Sequence, residues 1–163
     1  MKKLITICLL VSSTLVLQAQ IEQQEQPMWC WATCVQSCLL QVNNFQAQSK
    51  IVSNLTGGLL LTTPMKTSEV VNILHYYHFN ASEVPCPANE QVLLNALTTG
   101  LKVIAFVNPT NNPQPGHYII LQGLNPNGQI IISDPSNGQT YVQGSKQLYN
   151  FWNWEGSIVV GTL

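Results

Sequence analysis

Arginine is absent from the 163 residues of this chain, and aspartate occurs only once, at position 134. Charged residues make up only 8% of the sequence, with six basic residues, all of them lysine, and seven acidic ones. A chain so poor in positive charge offers no basic patch, which argues against nucleic acid as a partner. Repeats, heptads and low-complexity stretches are also missing. The sequence is therefore expected to form one ordinary globular domain.

The only long apolar run lies at the N-terminus, over residues 4–17, directly after Lys2 and Lys3. This run is shorter than the roughly 18 to 20 apolar residues that a membrane-spanning helix needs. A basic start, an apolar run and a small residue at its end are typical of a secretory signal peptide. We therefore expect residues 1–19 to be a signal peptide and residues 20–163 to be a secreted or periplasmic domain without a membrane span. An uncleaved N-terminal anchor is the alternative. Without the two N-terminal lysines, four lysines face seven acidic residues, which gives a net charge of 4 − 7 = −3.

Helical patterns fill the first part of the expected domain and strand patterns the second, with the change near Gly100. Apolar spacing and capping residues predict helices over residues 30–42 and 46–55, a third from Thr67 or Ser68, and a fourth after Asn89. Short apolar runs separated by turn sequences predict strands over residues 103–107, 117–124, 129–133, 140–142 and 157–160. Helices first and an antiparallel sheet second is an α+β pattern.

The sequence around Cys30 has the features of an active-site loop that leads into a helix. Cys30 is followed by Trp31 and an apolar run, so it stands at the predicted helix start. A helix N-terminus presents unpaired N–H groups and about half a positive charge, which favours a thiolate. The same N–H groups can hold the negative oxygen that forms when a carbonyl is attacked, and the side-chain amide of Gln24 can supply a second donor. Gln23 and Gln26 compete with Gln24 for this role, and only the six-residue offset from the cysteine selects Gln24.

A cysteine nucleophile needs a base, and the base needs a group that orients it. His117 opens a predicted strand after a proline-rich loop, and Asp134 ends the next strand. A hairpin turn near residues 126–127 would place the two opposite each other, with Cβ atoms roughly 5 Å apart. Asp134 could then accept a hydrogen bond from one ring nitrogen while the other faces the thiol. His75 and His78 have a spacing that could suit a metal, but no acidic or cysteine ligand accompanies them, so we expect surface or packing roles.

The expected domain holds four cysteines, Cys30, Cys34, Cys38 and Cys86. The first three are spaced by four residues, which could suggest zinc, but Cys30 and Cys38 would lie about 12 Å apart along a helix. Zinc–sulfur bonds near 2.3 Å cannot bridge that distance, and we expect no metal and no cofactor. Cys34 should point into the core. In an oxidising compartment one disulfide is expected, between Cys86 and either Cys34 or Cys38.

The order of these motifs resembles that of the papain-like cysteine peptidases. Gln24 stands six residues before the Cys-Trp-Ala motif of Cys30, His117 lies in Gly-His-Tyr, and Asp134 lies in Ser-Asp-Pro. The chain is most similar to a small bacterial branch that includes secreted effector proteases of plant pathogens and double-glycine (bacteriocin-leader) peptidase domains. The resemblance covers roughly residues 22–162. It implies a papain-like α+β fold with Cys30 as nucleophile, His117 as general base and acid, Asp134 as the orienting group and Gln24 as oxyanion donor. Papain itself has an asparagine in the third role and a glycine-rich approach to the cysteine, where this chain has Pro-Met-Trp.

The loop of residues 108–116 holds three prolines and adjoins the base, so we expect it to form one wall of the substrate groove. The expected substrate-binding residues are Asn112 and Gly116 in this loop and Trp31 beside the nucleophile. The expected function is hydrolysis of peptide bonds in a peptide or protein by a secreted cysteine peptidase. Alternatives are other acyl transfers by the same groups, such as peptidoglycan amide cleavage, side-chain deamidation or transglutamination, or a non-catalytic exported binding protein. Only residues 21–25 could cover the cleft, so latency would need an inhibitor or chaperone.

Overall fold

One antiparallel sheet forms the centre of the fold in the computed structural model, which describes residues 21–86, 88–110 and 116–162. The predicted signal peptide, residues 1–19, lies outside the described residues. The strands are β1 (Phe79–Pro85), β2 (Lys102–Val107), β3 (His117–Leu124), β4 (Ile130–Asp134), β5 (Gln139–Gln143) and β6 (Trp154–Thr162). They lie in the order β1-β6-β2-β3-β4-β5, and each neighbouring pair is antiparallel.

Helices pack on both faces of this sheet. They are α1 (Cys30–Gln41), α2 (Gln48–Leu55), α3 (Thr67–Tyr76), α4 (Glu90–Thr98) and α5 (Ser145–Trp152). The α+β prediction is confirmed, and the four helices and five strands expected from the sequence lie where their patterns indicated, with ends that shift by a few residues. None of the helices in the described part of the chain has the length and apolar character needed to cross a membrane.

Two elements differ from the prediction. β1 lies in the part of the chain that was expected to be helical, and α5 lies in the part that was expected to hold only strands. In β1 only Phe79 and Ala81 are buried, so too few inward positions exist for a strand period to be visible. In α5 Leu148 is the one buried residue, so this helix also lacks the repeated buried positions that would make a helical period visible.

Each face of the sheet is covered by its own hydrophobic core. The first core joins α1, α2 and α3 to inward side chains of the sheet such as Tyr118 and Ile120. The second joins α4 and α5 to side chains such as Ile119 and Leu121. Successive side chains of a strand point to opposite faces, so β3 serves both cores and its sequence is apolar without alternation. Burying each Ile or Leu fully stabilises the fold by roughly 1.5–3 kcal/mol.

The predicted disulfide is wrong. Cys30, Cys34, Cys38 and Cys86, the cysteines of the described residues, are all free. Cys34 and Cys38 lie in the core under α1. Cys86 lies in the core on the other face, with its Sγ 3.3 Å from the hydroxyl of Tyr149. The sheet therefore separates the cysteines that were expected to pair. The prediction that Cys34 points into the core is confirmed, since it is fully buried.

Candidate active site

Cys30 is the first residue of α1, as the sequence predicted. The turn before it is tight: Met28 has a φ of 67°, and the Trp29 backbone N–H donates a hydrogen bond of 3.2 Å to the Gln26 carbonyl. A positive φ is uncommon for a residue other than glycine and costs of order 1–3 kcal/mol, and such strain often marks a functional site. The Trp29 indole N–H also donates to the Leu61 carbonyl at 2.9 Å, which fixes the turn to the following part of the chain. The helix therefore begins at the cysteine, so the first N–H groups of the helix, which have no partner within it, lie at the same point as the thiol.

His117 and Asp134 meet at the end of the sheet where β3 begins and β4 ends. Nε2 of His117 lies 2.7 Å from Oδ1 of Asp134. The two residues are not directly opposite each other, as the hairpin was expected to place them. The β3–β4 pairing ends at Ile120 and Ser133, so the histidine and the aspartate lie on a diagonal beyond the last paired residues. A bulge between Leu121 and Gly123 shifts the register, which the turn sequence did not reveal.

The Asp134 carboxylate has three hydrogen-bond donors around it. Besides His117, the backbone N–H of Ser136 donates to Oδ1 at 2.8 Å, and the Tyr141 hydroxyl donates to Oδ2 at 3.4 Å. Burial alone would raise the pKa of Asp134, but the hydrogen bonds from His117 and Ser136 outweigh burial and hold it below its usual value. Asp134 is therefore an anion at neutral pH, and it fixes the orientation of the imidazole.

The other nitrogen of the His117 ring is available to the cysteine, because Nε2 is bound to the aspartate. Burial disfavours the charged imidazole, but hydrogen bonds and electrostatic interactions with Asp134 and Cys30 raise the pKa of His117 to about 9. His117 is therefore an imidazolium at neutral pH, held between the Asp134 carboxylate and Cys30. The Cys30 and His117 side chains thus meet across the boundary between α1 and β3, and both are mostly buried.

Gln24 lies in the segment that leads to the turn, but its amide does not bind Cys30 in this structure. Its Nε2 donates to the Gln26 carbonyl at 3.1 Å, the same carbonyl that accepts from Trp29 N–H. The side chain is therefore folded against the turn that precedes Cys30. Gln23, one of its competitors, donates instead to the Ser136 carbonyl.

A pocket of about 60 Å³ opens beside Cys30. Trp31 and Gly116, which were predicted to bind substrate, line it, whereas Asn112 lies outside the described residues. Cys30 itself also lines the pocket. The remaining lining residues were not predicted to bind substrate: Met28, Pro64, Met65, Phe106 and Tyr118. No single stretch of sequence indicates this set, because the chain brings its members together from four separate segments.

Pro64 and Met65, in the segment of residues 59–66, line one part of the pocket. Two hydrogen bonds join this segment to the residues of the site, from the Trp29 indole to the Leu61 carbonyl and from the Tyr118 hydroxyl to the Met65 carbonyl at 2.9 Å. Three neighbouring leucines of the segment are exposed to between 41% and 59%, namely Leu59, Leu60 and Leu61. The segment that lines the pocket through Pro64 and Met65 therefore also exposes apolar side chains to solvent.

Outside this site, His75 has a packing role. Its Nε2 lies 2.8 Å from the Ala81 carbonyl oxygen, which joins α3 to β1. His78 has a φ of 65° at the end of α3. Nowhere in residues 21–86, 88–110 and 116–162 do three or more histidine, cysteine or acidic side chains form a group that could hold a metal ion.

Residues 11–153 match the family described as papain-like cysteine protease AvrRpt2. No curated protein matches the sequence. Three solved structures illustrate the likeness in fold. The peptidase domain of Streptococcus ComA, a bi-functional ABC transporter involved in quorum sensing, is 12% identical, with a TM-score of 0.64 over 89% of this chain and 99% of that domain.

The second is a double glycine motif protease from an AMS/PCAT transporter in complex with the leader peptide, which is 12% identical with a TM-score of 0.65 over 88% of this chain and 91% of that one. The third is the N-terminal peptidase C39 like domain of the toxin secretion ATP-binding protein from Vibrio parahaemolyticus. It is 11% identical, with a TM-score of 0.57 over 86% of this chain and 99% of that domain. These structures confirm the predicted papain-like α+β fold.

Proposed function

Because the chain belongs to the papain-like cysteine protease AvrRpt2 family and is a cysteine peptidase, we propose that it cleaves peptide bonds through Cys30, His117 and Asp134. The observation that carries this assignment is the position of His117, which interacts with Cys30 at the start of α1 on one side and is hydrogen-bonded to Asp134 at 2.7 Å on the other. Nucleophile, base and orienting group have the connectivity that acyl transfer by a thiol requires.

The reaction begins with the Cys30 thiolate and the His117 imidazolium. The sulfur attacks the carbonyl carbon of the substrate, and the carbonyl oxygen takes the negative charge. His117 gives its proton to the leaving amine nitrogen as the C–N bond breaks, which leaves a thioester on Cys30. His117 then takes a proton from water, the hydroxide attacks the thioester, and the acid product leaves while the thiolate and the imidazolium are restored. Asp134 keeps the ring oriented through both steps.

The negative oxygen needs donors that are already in place. The backbone N–H of Cys30 at the start of α1 is one, and we assign the Gln24 amide as the other. Gln24 would exchange its 3.1 Å hydrogen bond with the Gln26 carbonyl for one with the oxyanion. A donor of this kind contributes roughly 3–4 kcal/mol to stabilising the transition state.

Substrate enters beside the apolar pocket. The pocket volume of about 60 Å³ suits one small apolar side chain of the substrate. The exposed leucines of residues 59–61 extend the apolar surface, so we propose an extended peptide with apolar residues on this side of the cleaved bond. Trp31 and Gly116 line the pocket, and we keep Asn112, which lies outside the described residues, as a proposed substrate-binding residue.

We also propose that the enzyme acts after export. The support is the sequence alone, since residues 1–19 combine two lysines with an apolar run of signal-peptide length. Mass spectrometry of the protein recovered from a secreting host tests this: a mature N-terminus at or near residue 20 supports export with cleavage, and an intact Met1 contradicts it.

The proposed activity is tested by incubating the protein with a peptide library under reducing conditions and mapping the products by mass spectrometry. We expect cleavage by the wild type and by Cys86→Ala, whose free thiol lies in the opposite core. We expect no cleavage above background by Cys30→Ala, and labelling of Cys30 by an epoxide probe in the wild type. Cleavage by Cys30→Ala at the wild-type rate would overturn the proposal. Release of fragments from purified peptidoglycan, or ammonia from glutamine side chains, without peptide cleavage would instead favour the other acyl transfers.

A further inference from the structure

We propose that Gln48 is a positioning residue for the reaction, because its buried amide holds the segment that carries Gln24. This inference rests on the proposed function, and specifically on Gln24 as an oxyanion donor. Gln48 is the first residue of α2 and is fully buried. Nothing in the sequence pattern of α2 distinguishes it from the other glutamines of the chain.

Both ends of the Gln48 amide bind the backbone of the segment before the nucleophile. Its Oε1 accepts a hydrogen bond of 2.9 Å from the Glu25 N–H, and its Nε2 donates one of 3.0 Å to the Gln23 carbonyl. The side chain thus pairs with residues 23 and 25 as a neighbouring β-strand would. An amide can do this because its oxygen accepts and its nitrogen donates.

Gln24, the residue between Gln23 and Glu25, directs its backbone N–H away from Gln48. The backbone N–H of Gln24 donates to the Pro135 carbonyl at 2.8 Å, in the turn that follows Asp134. In an extended segment, alternate residues direct their backbone groups to opposite sides. Gln48 on one side and the turn after β4 on the other therefore fix the backbone of Gln24. What stays adjustable is its side chain, which can turn from the Gln26 carbonyl to the oxyanion.

The Gln48 amide is itself held by a second buried amide. Its Nε2 also donates to Oε1 of Gln36 at 3.2 Å, and Nε2 of Gln36 donates to the Gln46 carbonyl at 2.9 Å. Gln36 lies on α1 and is 1% exposed. The orientation of the Gln48 amide is therefore set from α1. Because the same helix begins with Cys30, one rigid element positions both the nucleophile and the oxyanion donor.

A double-mutant cycle with Gln24 tests this role. Gln48→Met keeps the length of the side chain and removes all three hydrogen bonds of its amide, two with the backbone of residues 23 and 25 and one with Gln36. We expect kcat to fall about tenfold with KM changed less than about twofold, because only the transition state carries the oxyanion. In a Gln24→Ala background, which by itself should lower kcat by about 10²-fold, we expect the Gln48→Met change to have no further effect. Ile51→Val, a fully buried change on the same helix, serves as the matched control for a small loss of stability.

The outcomes separate the inference from the proposed function. An equal loss of kcat from Gln48→Met in both backgrounds, or unchanged kcat in folded Gln48→Met protein, would overturn the inference while Cys30-dependent cleavage stands. Unchanged kcat in Gln24→Ala would overturn it as well. If Gln48→Met does not fold, Gln48→Glu, which keeps the acceptor and loses the donor, enters the same cycle with the same expectations. Cleavage without Cys30 would instead remove the proposed function.

Discussion

The two sides of the active site are built in different ways. The base side, which is His117 and Asp134 at the ends of β3 and β4, takes its contacts from one continuous stretch of strands, and its groups are charged. The nucleophile side is the segment of residues 23–29 that leads to Cys30, and the hydrogen bonds that hold this segment come from neutral groups. Its contacts come from α2, from residues 59–66 and from the turn after Asp134. The bond from Glu25 to Gln48 of α2 spans 23 residues of sequence, and the bond from Trp29 to Leu61 spans 32.

This difference determines what each side should respond to. Charged groups in partial burial respond to pH and to the loss of a single partner. Neutral amides and backbone hydrogen bonds do not titrate, so the nucleophile side should respond to the shape and donor pattern of its partners. Predictions that change charge should therefore affect the base side most, and the order of the expected effects follows from that.

The largest effect is expected from His117→Ala. Without the imidazole, the cysteine has no group to take its proton or to protonate the leaving amine, so we expect kcat/KM to fall about 10³–10⁴-fold. Peptide cleavage and probe labelling of Cys30 should fall together. His75→Ala is the matched control, since His75 binds the Ala81 carbonyl between α3 and β1. Retention of more than a tenth of the labelling rate in folded His117→Ala protein would contradict the role of the base side.

The stability of the fold should depend on pH through His117. Its pKa is raised from 6.5 to about 9, so its charged form stabilises the folded state. This contribution is fully present below pH 6.5 and is lost as pH rises through 9. It amounts to roughly 3 kcal/mol, at about 1.4 kcal/mol for each unit of pKa. Urea unfolding of the wild type and of His117→Gln from pH 6 to pH 10 measures it. The difference in unfolding free energy should shrink as pH rises, and a constant difference would contradict the charged arrangement.

Much of the base side could be predicted from the sequence, whereas the nucleophile side could be predicted only in part. Cys30, His117 and Asp134 are residue types with few copies, and their motifs lie beside turns and a helix start that local patterns indicate. Gln48 is one of many glutamines, and only tertiary contacts with residues 23 and 25 distinguish it. The wrong disulfide has the same cause, because no local pattern tells which face of the sheet Cys86 will join.

Asp134→Asn separates charge from shape on the base side. The amide can still accept one hydrogen bond, but the negative charge that keeps His117 protonated is lost. We expect kcat/KM to fall about 10–100-fold, and the loss of activity at alkaline pH to begin at a lower pH than in the wild type. A pH profile of kcat/KM from 6 to 10 measures both. An unchanged alkaline limb would mean that Asp134 does not hold the charge of the imidazole.

Gly116→Ala tests the packing of the base side. A Cβ at this position would lie 2.5 Å from Cζ of the Phe106 ring and 2.8 Å from the Val107 carbonyl oxygen, and the backbone atom cannot move aside easily. We expect a loss of about 1–3 kcal/mol in unfolding free energy. Gly156→Ala is the matched control, since nothing lies within 4 Å of its added Cβ and its effect should stay within about 0.5 kcal/mol. Equal stability of the two variants in urea unfolding would show that the close approach at Gly116 is not needed.

The smallest effect is expected from Tyr141→Phe, and it tests how far the charged network of the base side extends. The Tyr141 hydroxyl lies 3.4 Å from Oδ2 of Asp134, longer than a strong O–H···O bond, while its ring stays against Trp152 at 5.9 Å. Its loss should therefore lower kcat/KM only about two- to fivefold. Tyr149→Phe, which loses a hydroxyl beside Cys86 in the opposite core, should leave kcat/KM unchanged. Identical values for the two variants would confine the network to His117 and Asp134, because the charge of the carboxylate would then not depend on a partner from β5.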